Sequence, residues 1–491
     1  MAFRSSVRYL QADTFTPVGI YLRLRDAFPQ SLLLECSDYS SRHDSFSYIC
    51  LQPLAGFEVG GGRFTARAFG REEYVEAVQG LPLKGGDGEA SRQANEQTVH
   101  QPDGQAVSRL IGDFIDSIQI AGDHNGNVFP GLFGYTSYDA VNLFDTVKLE
   151  KPSRAKDPIP LLRYDLYQVV IAFNHFNNTL SICELQGDGT RPEMPRVLSL
   201  LANRNATSFP FFVRGGERSL ISDVQYRQLV KEGIRHCARG DVFQIVLSRG
   251  FEQDFNGDEF NVYRALRSIN PSPYLFYFDY LGFKLFGSSP EAQLRVGNGK
   301  ATINPIAGTV TRTGIPEKDA ALTDELLQSK KENAEHCMLV DLARNDLSKH
   351  CTEVGVETFR EVQHYSHVIH LVSTVSGQLT AGSGVYGLFA DTFPAGTLSG
   401  APKHMALRLI DRYEDTARGF YGGGIGFIGL DGTLNHAIMI RSFMSRKGTL
   451  AYQAGAGVVI GSTPEGELAE VDGKISALRK AIQLGERFHA V

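Results

Sequence analysis

Four glutamates raise the first chemical question in this sequence. Glu332 and Glu335 stand i,i+3 in DELLQSKKENAEHCMLVDLARND, and Glu467 and Glu470 repeat the spacing in TPEGELAEVDGKISALRKAI. Both segments read as helices, so each pair shares a face, where like charges repel by roughly a few tenths of a kcal/mol unless a cation offsets them. Four hard oxygen donors suit Mg²⁺, which takes one or two protein carboxylates directly and others through water. The plainer account is a solvated helix face with Glu470 paired to Lys474, and spacing alone favours it.

Other residues offer places for an anion. In INPIAGTVTR, Gly308 and Thr309 present backbone and a hydroxyl, while Ala307 has nothing reactive to offer. Gly455 and Gly457 interrupt an apolar strand, where glycine marks a bulge or the close approach of a ligand. GTLSGAPKHMALRLI, residues 396–410 including Thr397, ends a loop and opens a helix whose free N–H groups suit an anion; a capped helix start is its ordinary reading. Arg441 falls on the apolar strand HAIMIRSF, so a carboxylate partner is expected for it. His364, His367 and His370 in HYSHVIHLVSTVSG suggest a metal until the segment is read as a strand, which turns His367 away from the other two. Gly424, Gly426 and Gly429 match GxGxxG, but run into a DG turn and another strand rather than a helix, which excludes a dinucleotide fold there.

The elements that must position these residues are legible in part. Ser222 and Gln225 have capping-box spacing ahead of a helix that stops at Gly240. It feeds DVFQIVLS, a strand with Gln244 on the same face as Val242 and Val246. YLFYFDYLGFKLFG reads as two strands around a Leu-Gly turn, and the segment from Gly422 to Gly461 as three strands joined at Asp431-Gly432 and Lys447-Gly448. Residues 81–106 are polar and glycine-rich, a flexible loop, and the main boundary is placed near 220. The fold class is α+β, with antiparallel sheet flanked by helices.

Composition narrows the function. The chain has 491 residues, 42% hydrophobic, with a formal charge of −6 and dispersed basic residues, which argues for a globular protein and against a nucleic-acid or anionic membrane surface. No segment has the apolar length to span a bilayer, and the N-terminal residues lack a signal peptide's apolar run, so a cytoplasmic location is expected. Cysteines 36, 50, 183, 237, 337 and 351 form no CxxC pair and are expected reduced and mostly buried.

GDVFQIVLSR, FGSSPEAQLR, NPIAGT, EHCMLVDLARND, GTLSGAPK, YGGGIGF and AGAGVVIGSTPEGELAEVDGK, taken in order across residues 222–480, resemble the chorismate-utilising enzymes. That resemblance implies a two-lobed sandwich of antiparallel sheets with helices on the outer faces. It makes Glu335 and Glu470 direct Mg²⁺ ligands, Glu332 and Glu467 ligands through water, and Glu291 the acid that protonates a leaving hydroxyl. Tyr421, Arg441 and the backbone at Gly455 and Gly457 would hold the enolpyruvyl carboxylate, Ala307, Gly308, Thr309 and Thr397 would line the substrate, and His370 would assist the second half-reaction. Members that add water carry lysine where Gln244 stands, and aminodeoxychorismate synthases typically carry lysine where Ala307 stands. Glutamine and alanine imply direct addition of ammonia, giving anthranilate and pyruvate. The alternatives are an aminodeoxychorismate synthase component working without that lysine, or a non-catalytic tryptophan-binding subunit.

The resemblance also implies partners and regulation. No glutaminase signature occurs, so ammonia would come from a glutamine amidotransferase subunit in a hetero-oligomer, expected to be a heterotetramer. LLLECSDYSSRHDSFSYI and NPSPYLFYF resemble the two walls of a tryptophan-sensing pocket, implying L-tryptophan as feedback inhibitor held by Glu35, Cys36, Ser37, Pro273 and Tyr274. Residues 1–220 would be the regulatory region and 221–491 the chorismate-binding region. Cys36 stands where the sensing segment usually has serine.

Overall fold

The computed structural model describes residues 1–36, 45–69, 71–77, 104–122, 130–155, 157–203, 205–364 and 368–488. Ser37 and His367 lie outside the described residues, as does most of the 81–106 loop. The helix Gly104–Asp116 already begins within that loop's expected span.

Two antiparallel sheet arms face one another. The first runs Leu32–Cys36, Tyr274–Asp279, Lys284–Ser289, Ser442–Arg446, Thr449–Val458 and Gln244–Gly257. The second runs Gly131–Thr136, Gly424–Gly429, Leu434–Ile438, Ala292–Gly297, Lys300–Ile303 and Val368–Leu379, the last also pairing with Ile306–Thr311 and Cys351–His364. The long strands Phe46–Gly60 and Leu162–Asn174 pair with each other and join the arms. Hydrogen-bonded pairs cross residue 220 repeatedly, as where Leu32–Cys36 lies beside Tyr274–Asp279.

Strand alternation sorts the first arm's side chains between two cores. Leu34, Phe276 and Leu285 turn inward and meet Leu132, Leu294 and Ile425 of the second arm. Leu33, Leu275, Tyr277 and Phe443 turn outward, where Val230, Leu266, Ile475 and Leu478 from the helices Asp223–Arg239, Phe260–Ile269 and Pro464–Gly485 cover them. The expected sandwich with helices outside is what folds.

Local signals account for several boundaries. Ser222 and Gln225 form the reciprocal capping box, and Gly240 closes the helix at φ 79°, in the left-handed region that glycine adopts freely. The C-terminal segment makes four strands rather than three. The expected strand through HAIMIRSF breaks between Ile438 and Ser442, with Arg441 at φ 49°, so Arg441 lies in a crossing between arms and not on a strand. The backbone turns through the left-handed region there, and strand pairing resumes only at Ser442. Glu291 occupies a second crossing, between Lys284–Ser289 and Ala292–Gly297.

Candidate active site

Because the chain changes sheets at Glu291 and at Arg441, both side chains emerge where the arms meet, and each feels the other's charge. Burial pushes the Glu291 carboxyl up to about 7, against the lowering influence of a hydrogen bond from Thr397 and of the nearby Lys474 and Arg441 charges. Thr397 Oγ1 donates to Glu291 Oε1 at 3.0 Å. The structure thus gives Thr397 a contact with the acid. The Arg441 carbonyl accepts from the Ser288 N–H at 3.1 Å, but its guanidinium makes no hydrogen bond or ion pair with any described residue, so the carboxylate partner expected for it is not supplied by the described protein. Burial holds its guanidinium below its ordinary value, with Glu291 opposing.

His370 reaches the site from Val368–Leu379. Burial, reinforced by Arg441, pushes it down to about 4, while the Gly308 backbone acts in the opposite direction. It is therefore a neutral imidazole at pH 7. Gly308 sits at φ 70° in a register shift between Ala307 and Thr309, and a Cβ there would come within 2.8 Å of Leu326. Thr309 pairs with His370 along the backbone, and Ala307 is buried beside them.

On the first arm, Gln244 is 3% exposed and its Nε2 donates to Glu335 Oε1 at 2.6 Å. Its Oε1 is buried without a hydrogen-bond partner among the described residues. Gly457 lies directly against this amide, and a Cβ there would overlap Nε2. At Gly455 a Cβ would come within 2.9 Å of the Leu247 carbonyl and 3.0 Å of the Tyr421 hydroxyl, and the Gly455 backbone hydrogen-bonds Tyr421. The glycines are thus required by side chains lying on the strand.

The four helical glutamates are only partly assembled. Glu332 follows the Ser329 cap of Lys330–Ser348, whose next turn carries Glu335. On Pro464–Gly485, Glu467 is buried, and Glu470 pairs with Lys474 at 2.7 Å, the pairing that the plainer account anticipated. Lys474 also donates to the Gly455 carbonyl at 2.9 Å. Among the described residues no three His, Cys, Asp or Glu side chains are grouped closely enough to hold a metal. The donor chemistry nonetheless fits a hard cation: carboxylate oxygens on two helices, two of them already facing an N–H donor.

Sequence reasoning missed the floor of this site. Arg418, buried, pairs with Glu414 at 2.6 Å, donates to the carbonyls of Leu398 and Val246, and stacks over Tyr138 with Tyr421 nearby. It fastens the Thr397 loop to the Gln244 strand. An arginine and a glutamate spaced i,i+4 were the available signal.

The proposed inhibitor residues divide. Glu35 and Cys36 are successive on one strand and face opposite sides of it. Glu35 accepts from Arg267 through both oxygens at 2.8 Å and from Tyr263 at 2.7 Å. Its carboxylate is therefore engaged by an internal cation. Cys36 pairs with Tyr274 in the sheet, Pro273 immediately precedes that position, and burial pushes the Cys36 thiol up to about 12.

A buried carboxyl at one crossing, a guanidinium without a side-chain partner among the described residues at the other and a neutral histidine nearby are groups suited to an anionic substrate. Residues 74–480 match the chorismate binding enzymes, and the chain belongs to that family. It is 33% identical to anthranilate synthase component 1 of Aquifex aeolicus, over 97% of this chain and 94% of that one, and 34% identical to the Thermus thermophilus protein of the same name, over 97% of each. The crystal structure of anthranilate synthase component I from Streptococcus pneumoniae superposes with a TM-score of 0.72 at 27% identity, covering 96% of this chain and 99% of that one. The menaquinone-specific isochorismate synthase MenF of Escherichia coli shares the fold, with a TM-score of 0.68 at 17% identity and coverage of 98% and 95%.

Proposed function

We propose that this chain is the chorismate-aminating component of an anthranilate synthase, a lyase that forms anthranilate and pyruvate. The observation that carries amination is Gln244. Its amide nitrogen is committed to Glu335, which leaves a buried carbonyl oxygen as an acceptor for an N–H of ammonia. An amide orients a nucleophile but cannot deprotonate water, and Ala307 has no amine with which to attack the ring.

The lone pair of ammonia forms the bond to ring C2 as the double bonds shift and the C4–O bond breaks. The departing oxygen takes the Glu291 proton and leaves as water. Neutral His370 then removes the C2 proton, the C3–O bond breaks, and the enolate of pyruvate departs and is protonated as the ring becomes aromatic. Arg441 and Tyr421 hold the enolpyruvyl carboxylate. Glu335 and Glu470, with Glu332 and Glu467 through water, would hold Mg²⁺, which supplies positive charge for the substrate's ring carboxylate when bound.

Ammonia would come from glutamine through a partner amidotransferase, in a heterotetramer located in the cytoplasm. The relatives' designation as component 1 supports a partner. Residues 1–220 would contribute a tryptophan-sensing site for feedback. The test is anthranilate fluorescence with chorismate, MgCl₂ and an ammonium salt; no product at any ammonium concentration overturns the reading.

A further inference from the structure

Beside Glu291 lies a partly open cavity of about 40 Å³, whose lining includes Gln293, Ala343, Asp346, Thr392 and Thr397 as well as Glu291 itself. Gln293 owes its place there to a backbone irregularity: the register between Ala292–Gly297 and Leu434–Ile438 shifts between Ala292 and Leu294. Shifts of this kind re-aim a side chain, and here the re-aimed one is polar. Gln293 is 3% exposed, and its Oε1 has no hydrogen-bond partner among the described residues. Leaving such an oxygen dry is unfavourable, and a water needs only roughly 10–15 Å³ measured this way, with two to four polar partners. Asp346 also lines the cavity, paired to Lys403 at 2.8 Å; the same ammonium donates to the Thr392 carbonyl at 2.8 Å.

The reaction proposed above leaves Glu291 as a carboxylate after each turnover, and the carboxyl must be reprotonated from outside a largely buried site. Thr397 cannot supply that proton without losing its own hydrogen bond to the acid, and Arg441 and Lys474 are the other charged groups acting on Glu291. We propose that the cavity is a water site through which Glu291 recovers its proton, with waters held by Gln293 Oε1 linking the Glu291 carboxylate to the Asp346 end. The proton given to the C4 oxygen departs in the product water. Its replacement enters from solvent and balances the proton that the new C2 ammonium group releases. Gln293 is on this account a positioning residue, acting through water. The inference rests on Glu291 being the acid of chorismate amination.

The test combines a structure with kinetics. A high-resolution crystal structure of the protein should show ordered water bonded to Gln293 Oε1, absent in Gln293→Leu. That variant should lower kcat five- to fiftyfold with the KM for chorismate unchanged within twofold. The solvent isotope effect on kcat should rise while that on kcat/KM stays fixed, and imidazole buffer, whose protonated form can donate near neutral pH, should restore part of the rate. Ala343→Leu fills the cavity without removing a polar group and should reproduce the kinetics, which keeps the test decisive if Gln293→Leu fails to fold. A dry wild-type cavity, or filled-cavity variants with wild-type kcat and isotope effect, would overturn the proposal alone. A wild-type protein that makes no anthranilate from chorismate and ammonium would overturn the reading on which it rests.

Discussion

Thr397 Oγ1 donates a 3.0 Å hydrogen bond to Oε1 of Glu291, and this bond stabilises the carboxylate form of the group proposed above as the general acid. The acid is therefore set by opposition, with burial raising it and Thr397 restraining it. In the free enzyme, kcat/KM at constant free ammonia should rise through about 4 as His370 loses its proton and fall through about 7 as Glu291 loses its own. Thr397→Val removes the restraint, so the Glu291 value rises and the alkaline limb moves upward. A net hydrogen bond of about 0.5–1.5 kcal/mol corresponds to a displacement of roughly half to one pH unit. An alkaline limb that stays in place would show that Glu291 is not the titrating acid.

Gly457→Ala tests the seat of Gln244. The added methyl must displace the amide and with it the bond to Glu335. Misplacing a reacting group by about 1 Å can lower a rate by about a hundredfold. Steady-state kinetics should show such a loss in kcat at saturating ammonium, with the circular dichroism spectrum unchanged.

Arg441→Gln should separate binding from stability. Because the Arg441 guanidinium has no partner among the described residues, its removal leaves no orphaned carboxylate, and the melting temperature should stay the same or rise slightly. A charge-assisted bond to substrate is worth about 1.5–3 kcal/mol, so the KM for chorismate should increase roughly 10- to 150-fold. Marked destabilisation with an unchanged KM would assign Arg441 to the scaffold instead.

Glu335→Gln and Glu470→Gln address the cation. Each replaces a charged oxygen donor with a neutral one, so anthranilate formation should be lost at ordinary Mg²⁺ while the fold persists. The two differ in the free protein: Glu470→Gln removes the carboxylate partner of Lys474 and leaves its bond to the Gly455 carbonyl, whereas Glu335→Gln alters the acceptor of Gln244. A Mg²⁺ titration of activity checks both, and full turnover at the wild-type Mg²⁺ requirement counts against their assignment as ligands.

Local chemistry in the chain anticipated much of this arrangement, and the failures have a common physical origin. The Ser222 capping box, the Gly240 stop and the two strands around the Leu281-Gly282 turn act over a few residues, and they appear in the structure as read. Arg441 was misplaced because an apolar run reads as one strand until the chain's need to change sheets forces a left-handed turn within it. Arg418, Gln293 and the Arg267 partner of Glu35 escaped notice because their roles depend on contacts between segments remote in sequence. The helical glutamates were legible as two pairs, but their spacing carries no information about the distance between the helices.

Tryptophan regulation gives the last prediction, and the Glu35–Arg267 pair changes how it must be tested. Glu35 is buried and held by Arg267 and Tyr263, so Glu35→Ala removes a structural partner whatever it does to a ligand. Arg267 is 37% exposed and can recover solvent, so the loss should be about 1–3 kcal/mol, below the 3–5 kcal/mol typical of breaking a fully buried pair. Cys36 is the cleaner probe. Its buried thiol stays protonated at neutral pH and is a weak hydrogen-bonding group, whereas serine supplies a strong donor and acceptor in nearly the same space. One added hydrogen bond of about 0.5–1.5 kcal/mol should tighten L-tryptophan inhibition by roughly tenfold or less in Cys36→Ser, with little change in melting temperature. Glu35→Ala should lose inhibition and stability together. Inhibition kinetics against chorismate, competitive or mixed, and calorimetric titration with L-tryptophan measure both effects. If saturating tryptophan neither slows the wild-type enzyme nor releases heat, the strand Leu32–Cys36 serves the sheet alone.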